Sequence, residues 1–288
     1  MVYYTMYIMK EKGYMDLQIN KLKTRAKRIK VIVTDIDGTL FSHKSHSVPD
    51  SARLAFSKLQ EKGYLVFLAS GRNYYLMKKS GILNWVNPDG FITMNGANVI
   101  VNGKTIYKYP IPEDVVDALI KFSKRLKFGL TLIEENAGHI NYVDERVIMS
   151  HEPYGVRFPQ PRTFPDHYDR IVYQAIAFCD ELDESLFLPH LRDCKSARWE
   201  KFAVDIMPSE SDKAKGVLAI LEHFRLKPEE VLALGDNEND IEMLAFCGIG
   251  IAMGNARPET KAIADYITDK IDDDGWSNIM YKLGLIEK

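Results

Sequence analysis

The stretch Val31–Leu40, VIVTDIDGTL, decides the fold. Val31, Ile32 and Val33 make a short β-branched apolar run, Ile36 continues it, and Gly38 and Thr39 end it. An apolar run of that length without alternation is the pattern of a strand buried on both faces of a parallel sheet. It delivers Asp35 and Asp37 to its C-terminal end, the edge at which open α/β sheets build ligand sites. Period-2 alternation places both carboxylates on one side, with Ile36 pointing away between them. Two neighbouring acids repel unless they share a cation or a proton, so the pair reads as part of a metal site. The plainer reading of Asp-Gly is an Asx-turn that ends a strand.

Outward from this strand the pattern repeats. Ser51 to Lys62 reads as a helix, with Leu54, Ala55 and Leu59 at helical spacing and Gly63 as its stop. Tyr64 to Ser70 is a second buried strand; a helix follows Arg72, and Gly90 to Ala97 is a third strand with its turn. This β-α-β-α-β order predicts right-handed crossovers and a parallel sheet. The rhythm then changes. Asn98 to Tyr109 is a hairpin turning at Asn102-Gly103. A helix over Glu113–Leu126, strand-like GLTLIEE and HINYV, and a proline-rich loop from His151 to His167 come next. Strand YQAIAFC, a helix from Leu182 to Leu191 and strand FAVDIMP complete this part. The first rhythm returns with a helix at Lys213–Phe224, strand VLALGD, a helix from Asp240, strand GIGIAMG and a last helix near Trp276. The expected architecture is α/β: a Rossmann-like parallel-sheet core over 29–107 and 201–288, interrupted by an inserted α+β lobe over 108–200. Residues 1–28 are expected to be an N-terminal extension without fixed structure.

The 288 residues exceed what one hydrophobic core usually needs. A net charge of -2 offers no electrostatic footing for nucleic acid or an anionic membrane. Three cysteines, Cys179, Cys194 and Cys247, are widely spaced and odd in number, which fits a reducing, cytoplasmic compartment. The partner expected is a small molecule. His43 and His46 form an HxxH pair without further ligands, the pattern of a solvated loop more than of zinc.

Chemistry gathers at four places in the predicted core: Asp35 with Asp37, Ser70-Gly71-Arg72, Lys213, and Gly235-Asp236-Asn237-Glu238-Asn239-Asp240. Carboxylates without a His or Cys cluster suit a hard cation, Mg²⁺ above all, which leaves coordination positions for water and substrate phosphate. A hydroxyl, an ammonium and N–H groups at helix starts are what a phosphate needs. A carboxylate facing that phosphate can act as a nucleophile. Ser70 also reads as a simple helix cap, and Arg72 either reaches substrate or pairs with a surface acid. Lys215 competes with Lys213, but Val217 and Ile220 fall at buried offsets from Lys213.

DIDGTL, ASGR, the lysine opening a helix and GDNEND resemble the four motifs of the haloacid dehalogenase-like (HAD) superfamily. ITMNGA, AMGNA and DDGW resemble its Cof-type hydrolase subgroup, whose inserted lobe is a C2 type B cap. The resemblance implies a Mg²⁺-dependent phosphatase of small phosphorylated metabolites, sugar phosphates first. It makes Asp35 the nucleophile that forms an aspartyl-phosphate and Asp37 the general acid/base. It assigns the metal to Asp35, the backbone carbonyl of Asp37, and Asp236. Ser70, Gly71, Lys213 and Asn239 would serve the substrate phosphate, with Asp240 supporting them and Arg72 as a substrate contact. The rival readings are a phosphomutase on the same scaffold and a non-catalytic binding protein.

Overall fold

The computed structural model describes residues 18–152 and 158–288. A helix over residues 18–26 (α1) precedes strand β1 (Val31–Asp35). Helix α2 (Asp50–Glu61), strand β2 (Leu65–Ala69), helix α3 (Tyr74–Lys79) and strand β3 (Gly90–Thr93) follow. Strands β4 (Asn98–Val101) and β5 (Lys104–Lys108) form the expected hairpin, with Asn102 and Gly103 both in left-handed backbone. Next come α4 (Glu113–Leu126), β6 (Gly129–Ile133), β7 (Gly138–Ile140) and α5 (Glu145–His151). They are followed by β8 (Gln174–Phe178), α6 (Glu181–Phe187), β9 (Cys194–Glu200) and β10 (Ala203–Pro208). The chain closes with α7 (Lys213–Phe224), β11 (Val231–Gly235), α8 (Ile241–Phe246), β12 (Ile249–Ala252), α9 (Pro258–Ile263), β13 (Tyr266–Ile267) and α10 (Gly275–Leu283).

An eight-stranded sheet runs β13-β12-β11-β1-β2-β3-β4-β5, parallel through β3 and antiparallel over the last two pairings. β1 lies between β11 and β2, so its C-terminal end sits in the middle of the sheet edge. Its side chains divide between two cores: Ile32 packs with Phe56 of α2 and Trp276 of α10, while Val31 and Val33 pack with Val217, Ile220 and Met243 of α7 and α8. All three are fully buried, which explains a run without polar alternation.

A five-stranded antiparallel sheet, β7-β6-β8-β10-β9, is built from the segment between β5 and α7. One face, with Leu130, Leu132, Ala175, Ala177, Val204 and Ile206, packs on α4 and on Phe187 of α6. Two expectations change here. β10 hydrogen-bonds to β8 and β9, so the second crossing between the sheets follows Pro208 and not residue 200. FAVDIMP has the apolar content of either sheet, and only its pairing partners assign it. Within the extension expected to lack structure, residues 18–26 are helical and bury Leu22 and Ala26 against the first sheet, with Arg25 paired to Asp265 at 2.7 Å. Residues 1–17 lie outside the described residues. Among the described residues, no helix is long and apolar enough to cross a membrane.

Candidate active site

Asp35 ends β1 and is 7% exposed. Lys213, the first residue of α7, is fully buried and places Nζ 2.5 Å from both Asp35 Oδ1 and Asp240 Oδ1. Gly96 permits this approach. It holds φ of +91°, and a Cβ there would lie 1.8 Å from the carbonyl oxygen of Asp212, directly before Lys213. Asp240 Oδ2 in turn accepts the N–H groups of Asp236 (2.9 Å) and Asn237 (3.0 Å), folding the loop after β11 back on itself. Asp236 Oδ1 accepts from Thr39 Oγ1 at 3.0 Å. Its other oxygen faces Gly38, where a Cβ would sit 2.4 Å away, so glycine follows Asp37 for reasons of space and of its φ of +82°.

Oxygens of Asp35, Asp236 and Asp240 lie within 4.8 Å of one another. Burial lifts the Asp35 carboxyl above its usual range; the Lys213 charge opposes this and Asp240 adds to it. Asp236 is pushed up to about 6 by burial and by the charge of Asp240, against the Thr39 hydrogen bond. Burial pulls the Lys213 ammonium down, but Asp240 and Asp35 outweigh it and hold the group above the ordinary lysine value. Neither Asp35 Oδ2 nor Asp236 Oδ2 accepts a hydrogen bond among the described residues.

Asp37 turns to the other side of the site. Arg72 Nη2 donates to its Oδ1 at 2.8 Å, and His43 Nε2 stands 3.7 Å from the same oxygen. Ser70 is buried, and its Oγ accepts the Arg72 N–H at 3.1 Å. The cap of α3 is Asn73, whose side chain accepts from the Leu76 N–H, so the helix-cap reading of Ser70 does not hold. Gly71 abuts the Asn95 side chain, and Asn95 Oδ1 accepts from Asn239 Nδ2 at 3.0 Å. Asn239 is thus placed beside Asn95, and no hydrogen bond joins its side chain to Asp35 or Asp37 among the described residues. Lys215 lies on the exposed side of α7, paired with Glu210 at 2.8 Å.

Thr39, Asn95 and Asn255 also belong to the site, although sequence reading assigned them no role. Thr39 registers there only as the end of a strand. Asn95 holds left-handed backbone with φ of +51°, a conformation that asparagine adopts more readily than most residues. Asn255 Nδ2 donates to the Gly38 carbonyl at 2.8 Å.

The family profile described as haloacid dehalogenase-like hydrolase matches residues 32–280. The chain belongs to that family. YkrA of Bacillus subtilis, provisionally named a phosphatase, is 32% identical over 260 residues, 90% of this chain and 99% of that one. Among solved structures, the HAD phosphatase BT1666 of Bacteroides thetaiotaomicron superposes with a TM-score of 0.78 at 29% identity, covering 90% of this chain and 96% of that chain. BT4131, described as a HAD subclass IIB sugar phosphatase, gives a TM-score of 0.73 at 34% identity over 89% of this chain and all of its own. This HAD chain is accordingly an enzyme of the phosphatase kind.

Proposed function

We propose that this HAD chain is a Mg²⁺-dependent phosphomonoester hydrolase of small phosphorylated metabolites, sugar phosphates foremost, working through an aspartyl-phosphate on Asp35. The observation that carries the reading is the buried Lys213 between Asp35 and Asp240, with Asp236 beside them at the C-terminal edge of the sheet. The donor set fits the metal: oxygen-only, carboxylate-rich, with Asp35 Oδ2 and Asp236 Oδ2 lacking protein donors among the described residues. Asp35, Asp236 and the backbone carbonyl of Asp37 would hold Mg²⁺. When bound there, the ion would offset the repulsion between an anionic nucleophile and an anionic phosphate.

The Asp35 carboxylate attacks phosphorus in line, and the bond from phosphorus to the leaving oxygen breaks. Asp37, hydrogen-bonded to Arg72, gives its proton to that oxygen. Water then attacks the phosphorus of the aspartyl-phosphate, Asp37 takes its proton, and inorganic phosphate departs with Asp35 restored. Lys213 has three N–H donors; two serve Asp35 and Asp240, and the third remains for a phosphoryl oxygen. Ser70 and the Gly71 N–H would bind further phosphoryl oxygens. The five-stranded sheet acts as the cap that shields this step from bulk water.

The test is phosphate release from sugar phosphates, nucleotides and p-nitrophenyl phosphate, with Mg²⁺ or with EDTA, beside Asp35→Asn. Metal-dependent release that vanishes in the variant is expected. Release that survives in Asp35→Asn removes the covalent route, and isomerised substrate without free phosphate makes the chain a mutase.

A further inference from the structure

A cavity of about 300 Å³ lies between the two sheets, walled by Gly71, Arg72 and Asn73 on one side and by Gln174, Trp199 and Asp205 on the other. Asp205 is opposite Ile176 of β8 and Ala197 of β9 in the sheet register. Its side chain therefore stands on the face away from α4 and α6, while its neighbours Val204 and Ile206 point into their core. Trp199 Nε1 donates to Asp205 Oδ1 at 3.0 Å, and Gln174 lines the same cavity beside it. Burial pushes this carboxyl up to about 6, and among the described residues no ion pair holds it. An acid held among Ile133, Ile176 and Ala197 without a charged partner costs stability, which favours a use outside the fold itself. An ionised carboxylate offers about four acceptor sites, so the Trp199 bond leaves capacity for a ligand.

The opposite wall locates that ligand. Gly71 and Arg72 belong to the turn that borders the phosphate position, and Arg72 holds Asp37, the group that would protonate the leaving oxygen. The cavity meets the site through Gly71 and Arg72 of that turn. We propose that Asp205 selects the leaving group by accepting hydrogen bonds from hydroxyl groups on the alcohol esterified to phosphate, with Trp199 holding the carboxylate in place. The inference rests on the phosphatase reading and adds to it the feature of the substrate that is recognised: a polyhydroxylated, polyol- or sugar-like leaving group.

The experiment compares sorbitol 6-phosphate and glucose 6-phosphate with hexyl phosphate, which is similar in length but carries no hydroxyl. Asp205→Asn keeps the size and the Trp199 contact; Asp205→Leu removes every acceptor and suits an apolar face. Both variants should lose about 10- to 100-fold in kcat/KM on the hydroxylated esters, the leucine more, and stay within about 3-fold on hexyl phosphate. Equal losses on all three esters would reduce Asp205 to a structural role, and unchanged preference in both variants would remove it from recognition. Binding of the same esters to Asp35→Asn protein, with and without the Asp205 changes, reads the same contrast without turnover. A chain that releases no phosphate would thus overturn the phosphatase reading, while the binding contrast still decides the role of Asp205.

Discussion

Lys213 occupies a position that helix electrostatics opposes, because a cation in the first turn meets the positive end of the helix dipole. The two carboxylates at 2.5 Å reverse that balance, and they are themselves buried. Removing one member of such a set leaves uncompensated charge in a low-dielectric interior. Lys213→Met should therefore lower unfolding free energy by about 3–5 kcal/mol in addition to stopping turnover. Urea denaturation checks the first part; a loss under 1 kcal/mol would mean that solvent or a bound cation already screens the pair. Asp205 carries the opposite expectation. Its carboxyl is raised to about 6 in the fold from an ordinary 3.8, so the native state prefers it protonated. Its contribution is neutral below the unfolded value, turns unfavourable as pH rises from about 4 to 6, and stays so above. Asp205→Asn should then gain of the order of 2–3 kcal/mol at pH 7–8 and nothing near pH 4. Parallel stability curves for the two proteins across that range would contradict the upward shift of this carboxyl.

At the scale of elements, Asn73 joins the two sheets. Its Oδ1 caps α3, while its Nδ2 donates to the carbonyls of Glu134 (2.9 Å) and Ala137 (3.2 Å) in the turn between β6 and β7. Thr105 of β5 adds a hydrogen bond to Glu135 of the same turn at 2.9 Å. Serine at position 73 keeps a cap acceptor and loses the two bonds across; alanine loses all three. Asn73→Ala should cost about 2–3 kcal/mol and Asn73→Ser about 1 kcal/mol less, measured by urea denaturation. Equal losses would show that the cap contributes nothing. Elements with a strong periodic signal were legible to the residue: α4 and α7 span the stretches expected from spacing alone. The expected helix from Leu182 to Leu191 ends at Phe187, because Leu188 precedes a proline and continues only as a 3-10 turn. β9 went unseen because CKSARWE is an edge strand without a fully buried side chain, and such a strand needs no apolar run. α5, α9 and the two-residue β13 are too short to establish a period.

Over the whole molecule, the amino-acid order determined the α/β class, the burial of β1 on both faces, and the acids at its C-terminal end. These follow from local patterns: apolar periodicity, helix stops, and the clustering of oxygen donors after strands. Lys213, Asp236 and Asp240, each placed by the sequence where a strand ends or a helix begins, come together in the fold. The tertiary structure alone decided what depends on who lies across the gap. It placed β10 in the five-stranded sheet, brought Thr39 and Asn95 into the site, and turned Asp37 toward Arg72 while Lys213 went to Asp35. It also faced Asp205 toward the cavity beside Gly71. Strand pairing and side-chain contacts between distant segments, such as Thr39 and Asp236 at a separation of 197 residues, leave no trace in local periodicity. They are set by which packing buries both sheets at once, and one chain's order of residues does not display that choice.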